Sequence, residues 1–444
     1  MKKISRRSFL TAAAACGAAA ALSACGGSSA SSTAASSTAG STAASAAAGP
    51  VTLQWSVWDK ESTPYWQAMA DGYMASHKDV TIEMVDLGSS DYMTVLATQL
   101  AGSADLDIVT IKDIPGYANL INLDYLKPLN EVLTRDTGDF NGTIEQLTTD
   151  DGNFYAVPFR SDFWVLYYNK DLFDKAGVEY PSNDLTMEDY DALARQLTDT
   201  TYGSQVYGCH YHTWRSAVEL FGILDGKHSI LDGNYDWMIP YYDMILSEED
   251  DGVCQTYTDL STEGLHYSAA FSNGNVAMMN MGSWFISTLI SNLDSGEYDS
   301  SLCGNWGIAS YPHPDGAEAG STIATITGLA VTSASANKDA AFDFVNWVSG
   351  TEGAKVMAST GNFPAIMTDD VINTIAGMAG FPTDESSKEA LNITNAYLEV
   401  PYAENVSEIN SILDTYHTSI MNREVTVEEG VASMNEQVGK ILNQ

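Results

Sequence analysis

Between residues 51 and 111 the apolar pattern alternates between β-rich runs and helical spacing, and this βαβαβ order constrains the fold more than any other feature. Residues 51–58 (Val-Thr-Leu-Gln-Trp-Ser-Val-Trp) read as a strand. Residues 65–76 read as a helix with Trp66, Met69, Ala70 and Tyr73 on one face. A second strand is expected at 80–85, a second helix at 92–101 capped by Ser90 or Asp91, and a third strand at 107–111. Such an order predicts a parallel sheet covered by helices, because parallel neighbours need a helical crossover. Ligands in these sheets bind beyond the carboxyl ends of the strands, which singles out the loops Trp58-Asp59-Lys60 and Lys112-Asp113-Ile114.

Further along, residues 151–160 read as a turn entering a strand, and residues 163–169 as a second strand leading into a helix at Lys170. A helical, loop-rich middle is expected to about residue 300. Residues 323–332 are rich in Thr and Ile and read as extended. Helices are expected at 338–350, with Ala341, Phe342, Phe344, Val345 and Val348 apolar, and at about 427–442. No fixed-period repeat occurs.

Ahead of this region lies an address and a tether. Lys2, Lys3, Arg6 and Arg7 precede an uncharged stretch, residues 8–24, rich in Ala and Leu. That is the pattern of an export signal, and the stretch is short for a membrane-spanning helix, which needs about 20 apolar residues. Ser5-Arg6-Arg7-Ser8-Phe9-Leu10 has the form of a twin-arginine signal; the short charged region suits either that route or the general one. Leu22-Ser23-Ala24-Cys25 resembles the bacterial lipoprotein signal, in which the cysteine thiol receives lipid. Residues 26–49 contain only Gly, Ala, Ser and Thr, a flexible linker spanning roughly 27 Å root-mean-square. The expected organisation is therefore signal 1–24, lipidated Cys25 and linker 25–50, then the folded part.

The chain of 444 residues carries 20 Lys and Arg against 58 Asp and Glu. All four basic residues of the leader are lost with it and no acidic one is, so the mature net charge is −42. Phosphate binding needs clustered Lys and Arg, so no nucleic-acid partner is expected. A basic membrane-surface helix is excluded on the same ground. Of five cysteines, Cys16 leaves with the signal and Cys25 is assigned to lipid. Cys209, Cys254 and Cys303 allow at most one disulfide and are equally compatible with three buried thiols.

Several segments together resemble the extracellular solute-binding proteins of ABC importers, in the large sugar-binding family 1 that includes maltose-binding protein. They are Tyr167-Tyr168-Asn169-Lys170-Asp171-Leu172-Phe173-Asp174-Lys175-Ala176-Gly177; Phe271-Ser272-Asn273-Gly274-Asn275-Val276-Ala277-Met278-Met279 followed by Gly282-Ser283-Trp284; and Ala340-Ala341-Phe342-Asp343-Phe344-Val345-Asn346-Trp347 followed by Gly361-Asn362-Phe363-Pro364-Ala365. The resemblance implies a two-lobed α/β fold of the periplasmic-binding-protein type, each lobe a mostly parallel sheet flanked by helices, with the ligand cleft at the hinge. It implies crossings near Arg160, Thr327 and Asn362, so that residues 51–160 plus 328–364 form one lobe and 161–327 plus 365–444 the other.

The resemblance further implies a membrane-anchored receptor that captures a sugar or oligosaccharide and delivers it to an ABC permease. It implies no enzymatic activity, no cofactor and no metal, and a monomer is expected. The anchor would be lipid on Cys25, at the outer face of the bacterial cytoplasmic membrane. A sugar has an apolar CH face and a rim of hydroxyls, so stacking aromatics and charged or amide partners are sought. Carried over on matching positions, the ligand contacts are Trp58, Asp59, Asp113, Arg160, Asp162, Tyr211, Trp214, Trp284, Asn362 and Tyr402, with Trp284 as the stacking platform. At Cys209 the chain departs from the maltose-binding pattern, which carries an acidic residue there.

Rival readings are a binding protein of the same fold for a polyamine or another non-sugar solute, and an exported glycoside hydrolase. Asp232, Asn234 and Asp236 imitate the start of a calcium loop, but Trp237 stands where that loop needs Gly. No G-x-x-x-x-G-K-[ST], H-E-x-x-H or G-x-S-x-G occurs, so ATP hydrolysis would belong to a separate subunit.

Overall fold

The computed structural model describes residues 49–133, 135–136, 140, 143–201 and 205–443. The leader, Cys25 and almost all of the linker lie outside the described residues. Among the described residues nine strands occur: β1 Val51–Val57, β2 Val80–Asp86, β3 Ile108–Ile111, β4 Val157–Asn169, β5 Tyr207–His210, β6 Val276–Gly282, β7 Trp306–Ser310, β8 Thr322–Val331 and β9 Ala396–Leu398. The βαβαβ start is present as expected. β1 pairs in parallel with β2 and β3, and helices Pro64–Ser76 and Tyr92–Ala101 form the crossovers.

Side-chain chemistry explains this first sheet. Leu53, Trp55 and Val57 of β1 are buried on one face. Trp55 packs edge-on against Trp66 and Phe344, with ring centroids 5.3 and 5.2 Å away. Its indole Nε1 donates to Thr110 Oγ1 at 2.9 Å, and that hydroxyl donates to the Ser56 carbonyl at 2.7 Å. The buried polar groups are thus satisfied inside the core, as burial demands. The first helix buries Tyr65, Trp66, Met69, Ala70 and Tyr73, the stripe read from spacing. The second begins at Tyr92 as expected, but neither Ser90 nor Asp91 caps it: Asp91 takes a left-handed conformation (φ 53°) and its side chain makes no cap bond.

β4 and β8 join two sheets. The first half of β4, Val157–Phe163, pairs antiparallel with β8, whose other neighbours are β3, antiparallel, and β9, parallel. From Trp164 onward β4 runs between β6 and β7 in a second sheet that ends at β5. The sequence suggests two strands here; the structure has one of 13 residues, with a register shift between Pro158 and Arg160. At the switch, the Thr322 hydroxyl accepts from Trp164 N (3.1 Å) and donates to Trp164 O (2.6 Å). Arg160 is the register partner of Thr327 and also bridges to Pro364. The middle of the chain also differs from expectation, since β5 and β6 lie inside it. β6 is seven residues buried on both faces, a run too short to separate from a helix by periodicity.

Helices Lys338–Val348 and Val427–Leu442 agree with the reading, the latter opened by a Thr426/Glu429 capping box. Cys209, Cys254 and Cys303 are free, buried thiols. No helix among the described residues is long and apolar enough to cross a membrane.

Candidate functional site

A cleft of about 740 Å³ opens beside the strand crossing. Its floor is Ala324, Thr325 and Ile326 of β8, with Trp164 of β4 next to them. Three tryptophans wall it. Trp164 meets Trp284 edge-on at 5.5 Å and Trp214 at 6.4 Å; Trp214 and Trp284 lie 6.3 Å apart. Trp214 is 39% exposed, a large aromatic surface left open to solvent.

The turn Gly282-Ser283-Trp284 shows how the platform is held. A Cβ at Gly282 would stand 2.0 Å from Trp284 Cζ3, so only glycine lets the indole lie across the strand end. Ser283 Oγ donates to Asp162 Oδ1 at 2.8 Å, and Arg160 Nη2 meets Asp162 Oδ2 at 2.7 Å. Burial pushes the Asp162 carboxyl up, while Arg160 and Ser283 pull it back down. Trp284 Nε1 donates to the Tyr267 hydroxyl at 3.0 Å, which fixes the ring plane.

The cleft lining also holds a polar cluster. Arg215 Nε pairs with Glu219 Oε2 at 2.7 Å, its Nη1 lies 3.3 Å from Asp414 Oδ1, and its Nη2 donates to Asn410 Oδ1 at 2.6 Å. Burial pushes the Glu219 carboxyl above its ordinary range despite Arg215. Glu219 Oε1 is buried without a hydrogen-bond partner. Glu399, Lys112 and Asn119 also line the cleft. Asp113 stands at the start of helix Ile114–Asn122, where its carboxylate accepts from Gly116 N at 2.7 Å.

Three of the ten residues singled out in the sequence line this cleft: Asp113, Trp214 and Trp284. The other seven do not line it. Trp58 is buried against Trp66 and Tyr92 at 4.9 and 5.1 Å. Asp59 takes a left-handed turn conformation after β1. Arg160 and Asp162 sit behind Trp284 as its support. Tyr211 follows β5 and points, like Cys209, into the core, because residues two apart share a face of a strand. Asn362 is buried and donates to the Thr360 carbonyl and hydroxyl. Tyr402 lines a wider hollow of about 1180 Å³ with Tyr155, Asp150, Asp151, Glu404 and Glu408. That hollow sets two tyrosines among acidic residues and has no tryptophan in its lining, whereas the smaller cleft brings three tryptophans together with residues of both charges.

Sequence reasoning passed over Trp164, Arg215, Glu219, Asn410 and Asp414. Arg215 adjoins Trp214, and Trp164 follows Asp162 by two residues, so both had a local signal. Asn410 and Asp414 had none, since Arg215 and Asn410 are separated by 195 residues.

Comparison with known proteins follows this geometry. Residues 59–355 match the model of a family described as bacterial extracellular solute-binding protein. Residues 3–23 match the signal sequence of the twin-arginine translocation pathway, which decides between the two export routes. A sugar transporter protein of Rhizobium etli, solved in an open conformation, is 47% identical, covers 87% of this chain and 99% of its own, and superposes with a TM-score of 0.78. An ABC substrate-binding protein of Listeria monocytogenes, solved with cycloalternan, is 21% identical over 88% of this chain and 99% of its own, with a TM-score of 0.74; that likeness is one of fold. The lactose-binding protein of Rhizobium radiobacter is 28% identical over 295 residues, 62% of this chain and 65% of the relative. The match thus spans just under two thirds of that curated relative's length. The fold is that of the periplasmic binding proteins, as expected.

Proposed function

The chain belongs to the bacterial extracellular solute-binding protein family, whose members are not enzymes, and we propose that it captures a sugar or short oligosaccharide in the tryptophan-walled cleft and delivers it to an ABC permease. The observation that carries this reading is that one cleft is lined by Trp164, Trp214 and Trp284 together with Arg215, Glu219, Asn410 and Asp414. The indoles suit the CH faces of pyranose rings, and the polar cluster suits their hydroxyls. Charge-assisted hydrogen bonds contribute about 1.5–3 kcal/mol each, so three or four reach the roughly −8 kcal/mol of a micromolar complex. A volume near 740 Å³ lies inside the about 300–1,000 Å³ typical of small-molecule sites.

The lobes are 51–160 with 328–364 and 161–327 with 365–444. The meeting of Arg160, Thr327 and Pro364 at one point supports a hinge there. Ligand would bridge the lobes and bias the hinge toward closure, as in binding proteins generally. Asp113, Trp214 and Trp284 contact ligand directly; Arg160 and Asp162 act through the turn that carries Trp284. Lipid on Cys25 anchors the exported protein to the outer face of the membrane, with residues 26–49 as tether.

The acidic Glu219, Glu399 and Asp414 favour a second reading, a polyamine. Arg215 among them disfavours it, because a polycation would meet a buried guanidinium. Isothermal calorimetry of the mature protein with saccharides and with spermidine separates the two: heat with saccharide alone supports the proposal, and heat with spermidine alone replaces it.

A further inference from the structure

Away from the cleft, three metal-ligating side chains meet in the core. Cys209 lies on β5, Glu248 on the last turn of helix Ile239–Asp250, and Cys254 just beyond that helix. Their two Sγ atoms and a carboxylate oxygen all lie within 4.8 Å of one another. Cys209 and Glu248 are 0% exposed and Cys254 2%. The backbone holds the group together: Gly208 N donates to Val253 O at 2.9 Å, and Val253 N to Glu248 O at 2.8 Å.

The unusual member is Glu248. Neither of its carboxylate oxygens has a hydrogen-bond partner, and the buried Tyr211 hydroxyl has none either. Tyr211 approaches both Glu248 and Cys209 without a well-aligned bond to either. The Asp191 carboxyl also approaches Glu248, and a proton shared between the two would lower the charge but leave the two thiols with no partner beyond each other. A disulfide between Cys209 and Cys254 would use the thiols and leave Glu248 as it stands. A cation satisfies all three at once.

We propose that Cys209, Glu248 and Cys254 form a structural site for a thiolate-preferring divalent cation of the zinc class, with the Tyr211 hydroxyl beside the fourth position. Two thiolates and one carboxylate in a dry pocket match tetrahedral zinc coordination better than the oxygen-rich shells of calcium or magnesium. Bonds of about 2.3 Å to sulfur place two sulfurs about 3.8 Å apart, so small side-chain rotations complete the site. Binding displaces the two thiol protons and any carboxyl proton to solvent and leaves one net negative charge. Arg195, which pairs with Asp191 and Asp251 at 2.8 and 2.6 Å, is a nearby cation. The twin-arginine route carries folded protein, so the site forms among reduced thiols before export. None of the three residues lines the ligand cleft, so this site is independent of the sugar reading. Its structural effect is to tie β5, the last strand of the second sheet, to the helix end that follows it in sequence.

The test uses the full chain, expressed with its own signal and purified without chelator. Elemental analysis should find about one zinc per chain. After chelation, cobalt(II) titration of the wild type should give a thiolate-to-cobalt charge-transfer band that saturates at one equivalent and is abolished by zinc. Cys254→Ser and Glu248→Gln should each weaken cobalt binding by at least about tenfold. Absence of the band in folded, reduced wild-type protein overturns the proposal, and so does a Cys209–Cys254 disulfide in the protein as isolated. The wild-type titration decides the matter even where a variant does not fold.

Discussion

Ser283 and Asp162, 121 residues apart in sequence, share a buried hydrogen bond of 2.8 Å that fixes the turn presenting Trp284. The second oxygen of Asp162 is taken by Arg160 at 2.7 Å, and Asp162 is only 3% exposed. Both Asp162 oxygens are thus engaged by protein groups. Replacing it by Ala leaves Arg160 as a buried charge without its partner, which costs about 3–5 kcal/mol. Asp162→Ala should lower the denaturant midpoint accordingly; a midpoint like that of the wild type would show that the pair does not hold the crossing.

Trp284 meets Trp164 edge-on and borders the cleft. Trp284→Ala should weaken saccharide binding at least about tenfold, or about 1.4 kcal/mol, with an unchanged far-ultraviolet spectrum. Gly282→Ala should produce a similar loss by a different route, because its Cβ collides with the indole at 2.0 Å. The accompanying loss of stability should be about 1–3 kcal/mol, the usual cost of overpacking. Calorimetry of both variants checks the pair. Normal affinity in Gly282→Ala would mean that the Trp284 indole does not need its place across Gly282.

His417 borders the cleft, buried, with Tyr242 Oη 3.0 Å from its Nδ1. Burial, aided by nearby Arg215, pushes its ring down to about 3 from an ordinary 6.5. Below pH 6.5 the unfolded chain takes up a proton that the folded chain refuses. The stability contributed by neutral His417 is therefore present above pH 6.5 and lost as pH falls, by at most about 1.4 kcal/mol per unit. His417→Gln removes this dependence, so the stability difference between wild type and variant should shrink as pH is lowered from 6.5 toward 4. A constant difference in urea titrations would show that His417 is protonated in the fold.

Much of the fold was legible because it is encoded locally. The stripe Trp66, Met69, Ala70 and Tyr73 needs no tertiary knowledge, and neither does the β-rich run that contains Trp55. β4 was harder to read. Arg160, Ser161 and Asp162 place two charges in mid-strand, which looks like an interruption until Ser283 is seen to satisfy the carboxylate. The site divides in the same way. Trp214, Trp284 and Asp113 were found through short motifs, whereas Asn410 and Asp414 reach the cleft only when the helix Val406–Met421 packs beside Arg215. Tyr211 was misleading because its neighbour Trp214 faces the cleft, while Tyr211 itself follows the inward side of β5.

The anchor makes a prediction of its own. Acyl chains contribute about 0.8 kcal/mol per buried methylene, and two chains hold a protein stably. Cys25→Ala should move the exported protein from the membrane fraction to the medium. Its retention on the membrane would remove Cys25 as the lipid site.

The central claim is that the tryptophan-walled cleft binds saccharide and does no chemistry on it. Thermal unfolding of the mature protein against a panel of mono- and oligosaccharides tests this most directly. A ligand at 100 times its dissociation constant stabilises by about 2.7 kcal/mol, a readily measured shift. The account predicts a shift with one saccharide class, lost in Trp284→Ala, and recovery of the saccharide unchanged by chromatography. No shift with any saccharide, or release of a cleaved product, would contradict it.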